Sequence, residues 1–251
     1  MTCTSNAQQN LLLAALPDTV WQRLQPKLQA VQMPLHQVLY ESGRTMSHAY
    51  FPTSAIVSLM HITQSGASVE SAVVGNDGVV GVALLMGGGS TSSRAVVQTA
   101  GRAWRIGAMA IKEEFDRGGP AMQVLLRYTQ ALMTQLAQRA VCNRHHSLLQ
   151  QLARCLLSSL DRVRGDELAL TQEHIADMLG VRREGVTEGA NRLQKWGLIR
   201  YSRGHICVLD RAGLQARACE CYAVVKNECH RLLPEPRPEP QLDFEPELAM
   251  A

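Results

Sequence analysis

The sequence predicts an α+β fold in which a β-rich first half is followed by a helical second half. Between residue 31 and about residue 106, short segments rich in Val and Ile alternate with Gly, Ser and Asn turns, as in a small antiparallel barrel or sandwich. A long helical pattern then runs to about Asn143. Residues 170–209 have the order of a winged helix-turn-helix: a short helix, a glycine turn, a second helix with a polar face and a small hairpin.

The first half begins with a polar lead and short helices over residues 1–30. Four strands are predicted from the apolar segments that follow, at residues 38–40, 55–62, 69–74 and 94–99. The glycines at 43, 66, 75, 78 and 87–89 punctuate these segments and predict turns.

The long helix after Gly118-Gly119-Pro120 has a heptad seam, because its residues recur at alternating spacings of three and four. The seam consists of Met122, Leu125, Thr129, Leu132, Leu136, Arg139 and Asn143. It could pack on the chain's own β-rich half or on the same helix of a second copy. The apolar pattern breaks at residues 143–146, which predicts a hinge, and a further helix from 146 to about 163 begins the second domain.

In the winged helix, Thr171 is placed to cap the first helix and Gly180 to end it. Apolar residues at helical spacing predict the inward faces. These residues are Ile175, Met178 and Leu179 on the first helix, and Val186, Ala190 and Leu193 on the second, which runs from about 182 to 196.

The polar residues left outward on this motif are the candidates for contact with DNA. Arginine can bond guanine bidentately, glutamate can accept from cytosine and asparagine can read adenine, while the hairpin turn can reach a phosphate. The candidates are Thr171, Arg182, Arg183, Glu184, Thr187, Glu188, Asn191 and, in the turn, Arg203. Residues 182–203 contain six basic and two acidic side chains, the focused basic charge expected of phosphate contact. The alternative is a generic helical hairpin with a solvated charged face.

The ordered pattern Thr-Gln-Glu-x-Ile-Ala-x-x-Leu-Gly-x-x-Arg-Glu-x-Val over residues 171–186, with Gly-Leu-Ile at 197–199, resembles the DNA-binding domain of the Crp/Fnr family. The resemblance implies a homodimer that pairs through the long helix, binds a palindromic site on double-stranded DNA and contacts RNA polymerase. It supports Arg183 and Glu184 as base readers. Where the family has a further Arg four residues after the Glu, this chain has Glu188, so the preferred DNA sequence stays open.

The resemblance also covers the first half, where Tyr50-Phe51-Pro52, Gly75-x-x-Gly78 and Gly81 are similar to the family's double-stranded β-helix, the cyclic-nucleotide-binding-like sensor domain. It implies a sensor domain at 1–118, a dimerisation helix and hinge at 119–144 and a winged helix-turn-helix domain at 145–233. The candidate effector pocket comprises Gly75, Gly78, Gly81, Val82, Ser92, Ser93 and Arg94. Family members that bind cyclic nucleotides have Glu after this glycine and then Arg-Ser. Here Val82 cannot accept from a ribose hydroxyl and Ser93-Arg94 is reversed, so we do not expect classical cyclic-AMP binding. Another ligand, another nucleotide or none remains open.

Metal cofactors are not expected from the cysteine pattern. An iron–sulfur member of the family would have clustered cysteines near its start, whereas only Cys3 is there. Cys219-x-Cys221 lacks common zinc spacing, and on one helix these thiols would point to different faces. We expect these thiols and Cys229 to pack between helices, and the alternative is a metal or redox role. We expect Cys142, His145 and His146 to be solvated polar residues at a helix junction, and the alternative is a haem or metal site.

Several classes of protein are excluded or disfavoured. The sequence shows no nucleophile–base pair, P-loop or paired carboxylates, so we do not expect an enzyme. No apolar run reaches about 18 residues and no basic region precedes residues 11–16, so neither a membrane partner nor a signal peptide is expected, and the location should be cytoplasmic. The last 18 residues, with five prolines and five acidic groups, predict a disordered acidic tail. The alternative function is a sensor or interaction module that does not bind DNA.

Overall fold

The computed structural model describes residues 7–163 and 165–233, and it has the predicted α+β architecture. The acidic tail predicted for residues 234–251 lies outside the described residues. The chain starts with the 3₁₀ helix Ala7–Gln9, α1 Leu11–Ala14, α2 Asp18–Leu24 and the 3₁₀ helix Gln25–Lys27. Asn10 is fully buried, and its amide donates to the carbonyl oxygens of Pro52 and Gly78, which ties the first helices to the β-rich half.

Seven antiparallel strands form two sheets that enclose the first core. They are β1 Gln29–Met33, β2 Val38–Tyr40, β3 His48–Pro52, β4 Ile56–Ile62, β5 Ser68–Val74, β6 Arg94–Thr99 and β7 Gly101–Gly107. One sheet has the order β1-β7-β3 and the other β2-β6-β4-β5. The four predicted strands form the second sheet, whereas sequence reasoning named no strand of the first.

Three helices link the two halves: α3 Ala108–Asp116, α4 Pro120–His145 and α5 Leu148–Leu160. The break between α4 and α5 falls at His146 and Ser147, within one or two residues of the predicted hinge. Ser147 caps α5 with a capping box. Its hydroxyl oxygen accepts from the backbone N–H of Gln150, and the Gln150 side-chain oxygen accepts from the backbone N–H of Ser147.

The second half is a winged helix-turn-helix. Its elements are β8 Glu167–Ala169, α6 Gln172–Leu179, α7 Arg183–Lys195, β9 Ile199–Ser202, β10 His205–Val208, α8 Arg211–Arg217 and α9 Cys221–Leu232. The wing sheet has the order β8-β10-β9. A second core lies between α5, α6, α7 and this sheet. The last helix, α9, returns to pack along α4.

The heptad residues predicted on α4 do not share one exposed face. Leu125 is 4% exposed and belongs to the first core, and Arg139 is buried beside Glu70. Leu132 also packs against that core. The long helix is therefore partly covered by the chain's own β-rich half, because one side of it packs against the first core. None of the described helices is long and apolar enough to cross a membrane.

Candidate DNA interface and sensor pocket

The turn between α6 and α7 has the geometry of a helix-turn-helix. Thr171 caps α6, since its hydroxyl oxygen accepts from the His174 N–H at 3.2 Å. Gly180 ends the helix at φ 66°, in the left-handed region that a glycine adopts at low cost. All six residues predicted to face inward on α6 and α7 are buried. These contacts fix the angle at which α7 leaves the turn.

Two glycines allow α7 to approach α5 closely. A Cβ at Gly185 would lie 2.7 Å from Leu148 Cδ2, and one at Gly189 would lie 3.0 Å from Leu152 Cδ2. A glycine inside a helix lowers helix stability by about 1 kcal/mol relative to alanine. The close packing of α7 on α5 that these glycines allow offsets this loss. Sequence reasoning did not identify this role, although two glycines four residues apart in a helix are a visible signal.

The outward face of α7 is free to contact a ligand. Arg182, Arg183, Glu184, Glu188 and Asn191 are exposed, and within residues 7–163 and 165–233 their side chains form no ion pair. Arginine and carboxylate groups on a helix start are suited to reading base edges in the major groove.

Thr187 differs from the other candidates on α7. Its hydroxyl oxygen lies 2.7 Å from Gln172 Oε1 and 3.0 Å from the Arg183 carbonyl oxygen. Its single proton is therefore committed within the motif, and the structure gives Thr187 a role in joining α6 to α7.

The wing ends in a two-residue turn. Arg203 has φ 47° and Gly204 φ 83°, the pair of positive φ values that defines a type I′ hairpin turn. Arg203 is exposed at the tip of the wing.

Trp196, just after α7, stacks with two arginines, a contact that sequence reasoning missed. The guanidinium carbon of Arg217 lies 4.4 Å from the ring centroid and that of Arg192 lies 5.4 Å from it. The cation–π contacts place both positive charges at the end of α7.

In the β-rich half, two members of the predicted effector pocket pack against helices instead. A Cβ at Gly75 would lie 2.8 Å from the Arg162 side chain, and one at Gly78 would lie 2.5 Å from the Tyr128 hydroxyl oxygen. These glycines permit close packing of the turn at residues 75–78 on α4 and on the end of α5. The close packing gives both glycines a structural role, and their place in a ligand pocket stays a prediction.

The remaining candidates lie around the start of β6 and the 3₁₀ helix Val82–Leu84. Gly81 precedes that helix at φ 110°, and Val82 is half-buried. Ser92 is exposed, Ser93 is buried, and the Nε of Arg94 lies 3.2 Å from the Glu41 carboxylate.

A buried polar cluster occupies the interior between β4, β5, β6 and α4. Arg139 pairs with Glu70, and the Ser58 hydroxyl oxygen lies 2.6 Å from Glu70 Oε2 and 2.9 Å from Gln98 Oε1. Glu70 is 1% exposed and Arg139 6% exposed. Two nitrogens of Arg139, Nε and Nη1, lack a hydrogen-bond partner among the described residues. Sequence reasoning missed this pair, because Arg139 was read only as a position of the heptad seam on the long helix.

A cavity of about 280 Å³ lies between the four-stranded sheet and α6. Arg94, His36, His174 and Asp177 contribute polar groups to its wall. The rings of His36 and His174 meet edge to face, with centroids 4.6 Å apart. Residues from both halves of the chain line this cavity. Of the predicted effector residues, Arg94 lines it.

Comparisons with known proteins match both halves. The model of the cyclic nucleotide-binding domain matches residues 30–117, and that of the Crp-like helix-turn-helix domain matches residues 150–217. Together they match more than half of the chain. No curated protein gives a significant sequence match.

Solved structures show the same fold over most of their length. FixK2 from Bradyrhizobium japonicum is 16% identical, with a TM-score of 0.67, and the match covers 76% of this chain and 98% of that one. A Crp/Fnr-family transcriptional regulator from Eubacterium rectale is 18% identical, with a TM-score of 0.64 and coverage of 80% and 94%. A CRP-family transcriptional regulator from Thermus thermophilus is 20% identical, with a TM-score of 0.62 and coverage of 75% and 96%.

The order of the two matched domains, with a long helix between them, is that of DNA-binding regulators and not of enzymes, in agreement with the sequence prediction. The chain belongs to the Crp/Fnr family of transcription regulators.

Proposed function

We propose that two copies of this chain bind a palindromic DNA site, each placing α7 in the major groove of one half-site. The exposed face of α7 and the exposed Arg203 at the wing tip support this proposal. Two-fold pairing would present two such helices about one helical turn of DNA apart. In this proposal the chain has three parts with separate roles. They are a sensor domain at 1–118, a dimerisation helix and hinge at 119–144, and a DNA-binding domain at 145–233. A contact with RNA polymerase is implied by the family.

Arg183 and Glu184 are the proposed base readers, with Arg182, Glu188 and Asn191 as further contacts. Their exposure on the first turns of α7, together with the absence of ion pairs to other described residues, supports this assignment. Thr171 and Arg203 are proposed to contact phosphates, and Thr187 to position the helix.

The proposed dimer surface shifts from the predicted seam to the apolar stripe that α4 leaves exposed. Leu126 is 49% exposed, Met133 61% and Leu136 38%, and Met122 and Thr129 are half-buried beside them. The spacings from 122 to 136 alternate between four and three, so these residues form one face of the helix. Leu125 and Leu132 support the same helix from the core side.

The sensor domain is proposed not to bind cyclic AMP in the classical way. Val82 offers no carboxylate for a ribose, and Arg94 is already paired with Glu41. That pair is partly exposed and should contribute less than about 1 kcal/mol, so the missing carboxylate at position 82 is the stronger argument against classical binding. Titration calorimetry with cyclic AMP should give no binding heat, and micromolar affinity would contradict this part of the proposal.

The observation that carries the proposal is the unpaired polar face of α7 beside a well-formed wing. Selection of bound fragments from a random DNA pool, followed by gel shift at several salt concentrations, tests it. A regulator should recover a palindrome and lose affinity steeply as salt rises, because phosphate contact releases counterions. A sensor module that does not bind DNA would recover no sequence and show no salt slope.

A further inference from the structure

Four side chains with metal-binding atoms meet where α4 ends and α9 begins. They are Cys142, His146, Cys219 and Cys221, here called the Cys₃His cluster, and one donor atom of each lies within 4.8 Å of all the others. The Sγ atoms of Cys142 and Cys219 are 3.5 Å apart, and Cys221 Sγ lies 3.4 Å from His146 Nδ1. Residues 77 positions apart in the sequence thus converge on one point.

The chain brings these donors together by simple means. Cys142 lies in the last turn of α4, and the C-cap residue His146 is held beside it because its backbone N–H donates to the Cys142 carbonyl oxygen at 3.1 Å. Cys219 precedes α9 in irregular backbone, and Cys221 is the first residue of that helix. The expectation that Cys219 and Cys221 point to different faces of one helix is wrong for this reason, since only one of them is helical.

We propose that the Cys₃His cluster binds a single zinc-class divalent cation. Zinc in structural sites is tetrahedral, with bonds of about 2.3 Å to sulfur and about 2.0–2.1 Å to nitrogen, which places neighbouring ligand atoms roughly 3.4–3.8 Å apart. The separations of 3.5 Å and 3.4 Å fit that geometry. An iron–sulfur cluster needs its thiolates spread around several iron atoms, so this compact set fits one ion better.

The histidine is oriented as a metal ligand. Nδ1 faces the thiols, while Nε2 lies 3.1 Å from Glu220 Oε1. Histidine ligands commonly donate their second ring N–H to a carboxylate, which leaves the other nitrogen free to bind the metal. Gln138 adds a similar outer contact, since its amide donates to Cys221 Sγ at 3.2 Å.

The charges around the cluster suit three thiolates. All three cysteines are buried, at 0% exposure for Cys142 and Cys221 and 4% for Cys219. Three thiolates around a divalent cation carry one net negative charge, and Arg154, 7% exposed, supplies a positive one where it lines the same small cavity as Cys221. Binding would release three thiol protons to solvent without any change of oxidation state.

The site lies where movement between the domains would matter. Cys142 lies in the last turn of α4, and His146 lies between α4 and the Ser147 cap of α5. Cys221 starts the helix that packs back on α4. A bound ion would clamp α9 to this junction and stiffen the connection between the sensor and the winged helix.

Metal analysis tests the proposal on the full chain, purified under reducing conditions. We expect about one zinc ion per chain by elemental analysis. Reduced, chelator-treated protein should bind added Co²⁺ and develop the intense visible bands of tetrahedral thiolate coordination. Cys221→Ser should lose both signals, and Glu220→Gln should weaken zinc binding by about 10–100-fold.

Cys229→Ser is the matched control, because Cys229 lies in the same helix but outside the cluster. It should retain full metal content, and circular dichroism should confirm that each variant folds. Wild-type protein without zinc and without cobalt bands would overturn the proposal. A Cys142–Cys219 disulfide found by mass spectrometry in place of metal uptake would also overturn it, as would equal metal loss in Cys229→Ser.

Discussion

Arg162, just after α5, forms a bidentate ion pair with Asp77 in the turn after β5. Its Nε lies 3.1 Å from Asp77 Oδ1 and its Nη2 lies 2.7 Å from Oδ2. The third nitrogen, Nη1, donates to the carbonyl oxygen of Ser158 at 2.6 Å, which fixes the guanidinium on its own helix. The absence of a side chain at Gly75 makes room for the arginine stem. This pair therefore connects the winged helix directly to the sensor domain.

Asp77→Asn should destabilise the folded chain, because it leaves a guanidinium with an 8% exposed side chain without its charged partner. We expect a loss of about 1–3 kcal/mol in the free energy of unfolding, measured by chemical denaturation. Glu113→Gln is the control, since its pairs with Lys27 and Arg117 are exposed and should each contribute less than about 1 kcal/mol. Equal losses in the two variants would show that the Asp77–Arg162 pair has no special role.

The burial of His174 beside His36 should make stability depend on pH. Burial and the neighbouring His36 lower the pKa of His174, while Asp177 and Glu173 act weakly in the opposite direction. The unfolded chain then takes up a proton at higher pH than the folded chain. The stabilising contribution is thus complete above about pH 6.5 and is lost as the pH falls through the folded-state pKa.

Chemical denaturation between pH 8 and pH 5 measures this effect, with both limits chosen to bracket the usual histidine pKa of about 6.5. Wild type should lose more stability on acidification than His174→Gln. The control is His61→Gln, because His61 is exposed on β4. If wild type and His174→Gln show the same pH dependence, the histidine contact does not couple stability to pH.

Arg183→Ala and Arg203→Ala should weaken DNA binding in different ways. Loss of a bidentate base contact should cost about 1–3 kcal/mol on the selected site and relax one base position. Loss of the wing-tip arginine should weaken all sequences alike and reduce the salt slope by about 1. Binding isotherms on the selected site, on single-base variants and on random DNA distinguish these patterns. A uniform loss for Arg183→Ala would contradict its role as a base reader.

The winged helix could be predicted closely because local signals specify it. A threonine cap, a left-handed glycine and apolar residues at helical spacing all lie within residues 171–198, so no distant contact is needed to recognise them. The strands of the four-stranded sheet were visible for a similar reason, since Val and Ile segments such as Arg94–Thr99 are apolar and bounded by turn residues.

Two strands of the other sheet, β1 and β7, were missed because they look polar. β7 contains two arginines and ends in glycine at both sides, and β1 buries only Met33. Their pairing depends on partners far along the chain, such as Gln29 opposite Arg105. Propensity alone does not reveal such strands, because neighbouring strands and the core decide them.

The candidate sites divide along the same line. Exposed residues of α7 follow from periodicity, whereas the Glu70–Arg139 pair and the Cys₃His cluster exist only after α4 has packed on other elements. Arg139 occupies a heptad position, and the heptad pattern does not reveal which neighbour the position faces. The spacing of residues along α4 therefore predicts that it is a helix, but it does not predict which neighbouring element each of its faces contacts.

The proposed dimer surface predicts that Met133→Glu separates the two copies. Met133 is 61% exposed at the centre of the stripe formed with Leu126 and Leu136, so a charge there would be buried without a partner in the dimer but solvated in the monomer. Analytical ultracentrifugation should show the mass halved, while thermal unfolding of the separated chain should show that the core remains folded. Arg127→Glu is the control, because Arg127 is exposed on a different face of the same helix and should leave the dimer intact. A dimer that survives Met133→Glu, or that is lost equally in Arg127→Glu, would place the interface elsewhere on the molecule.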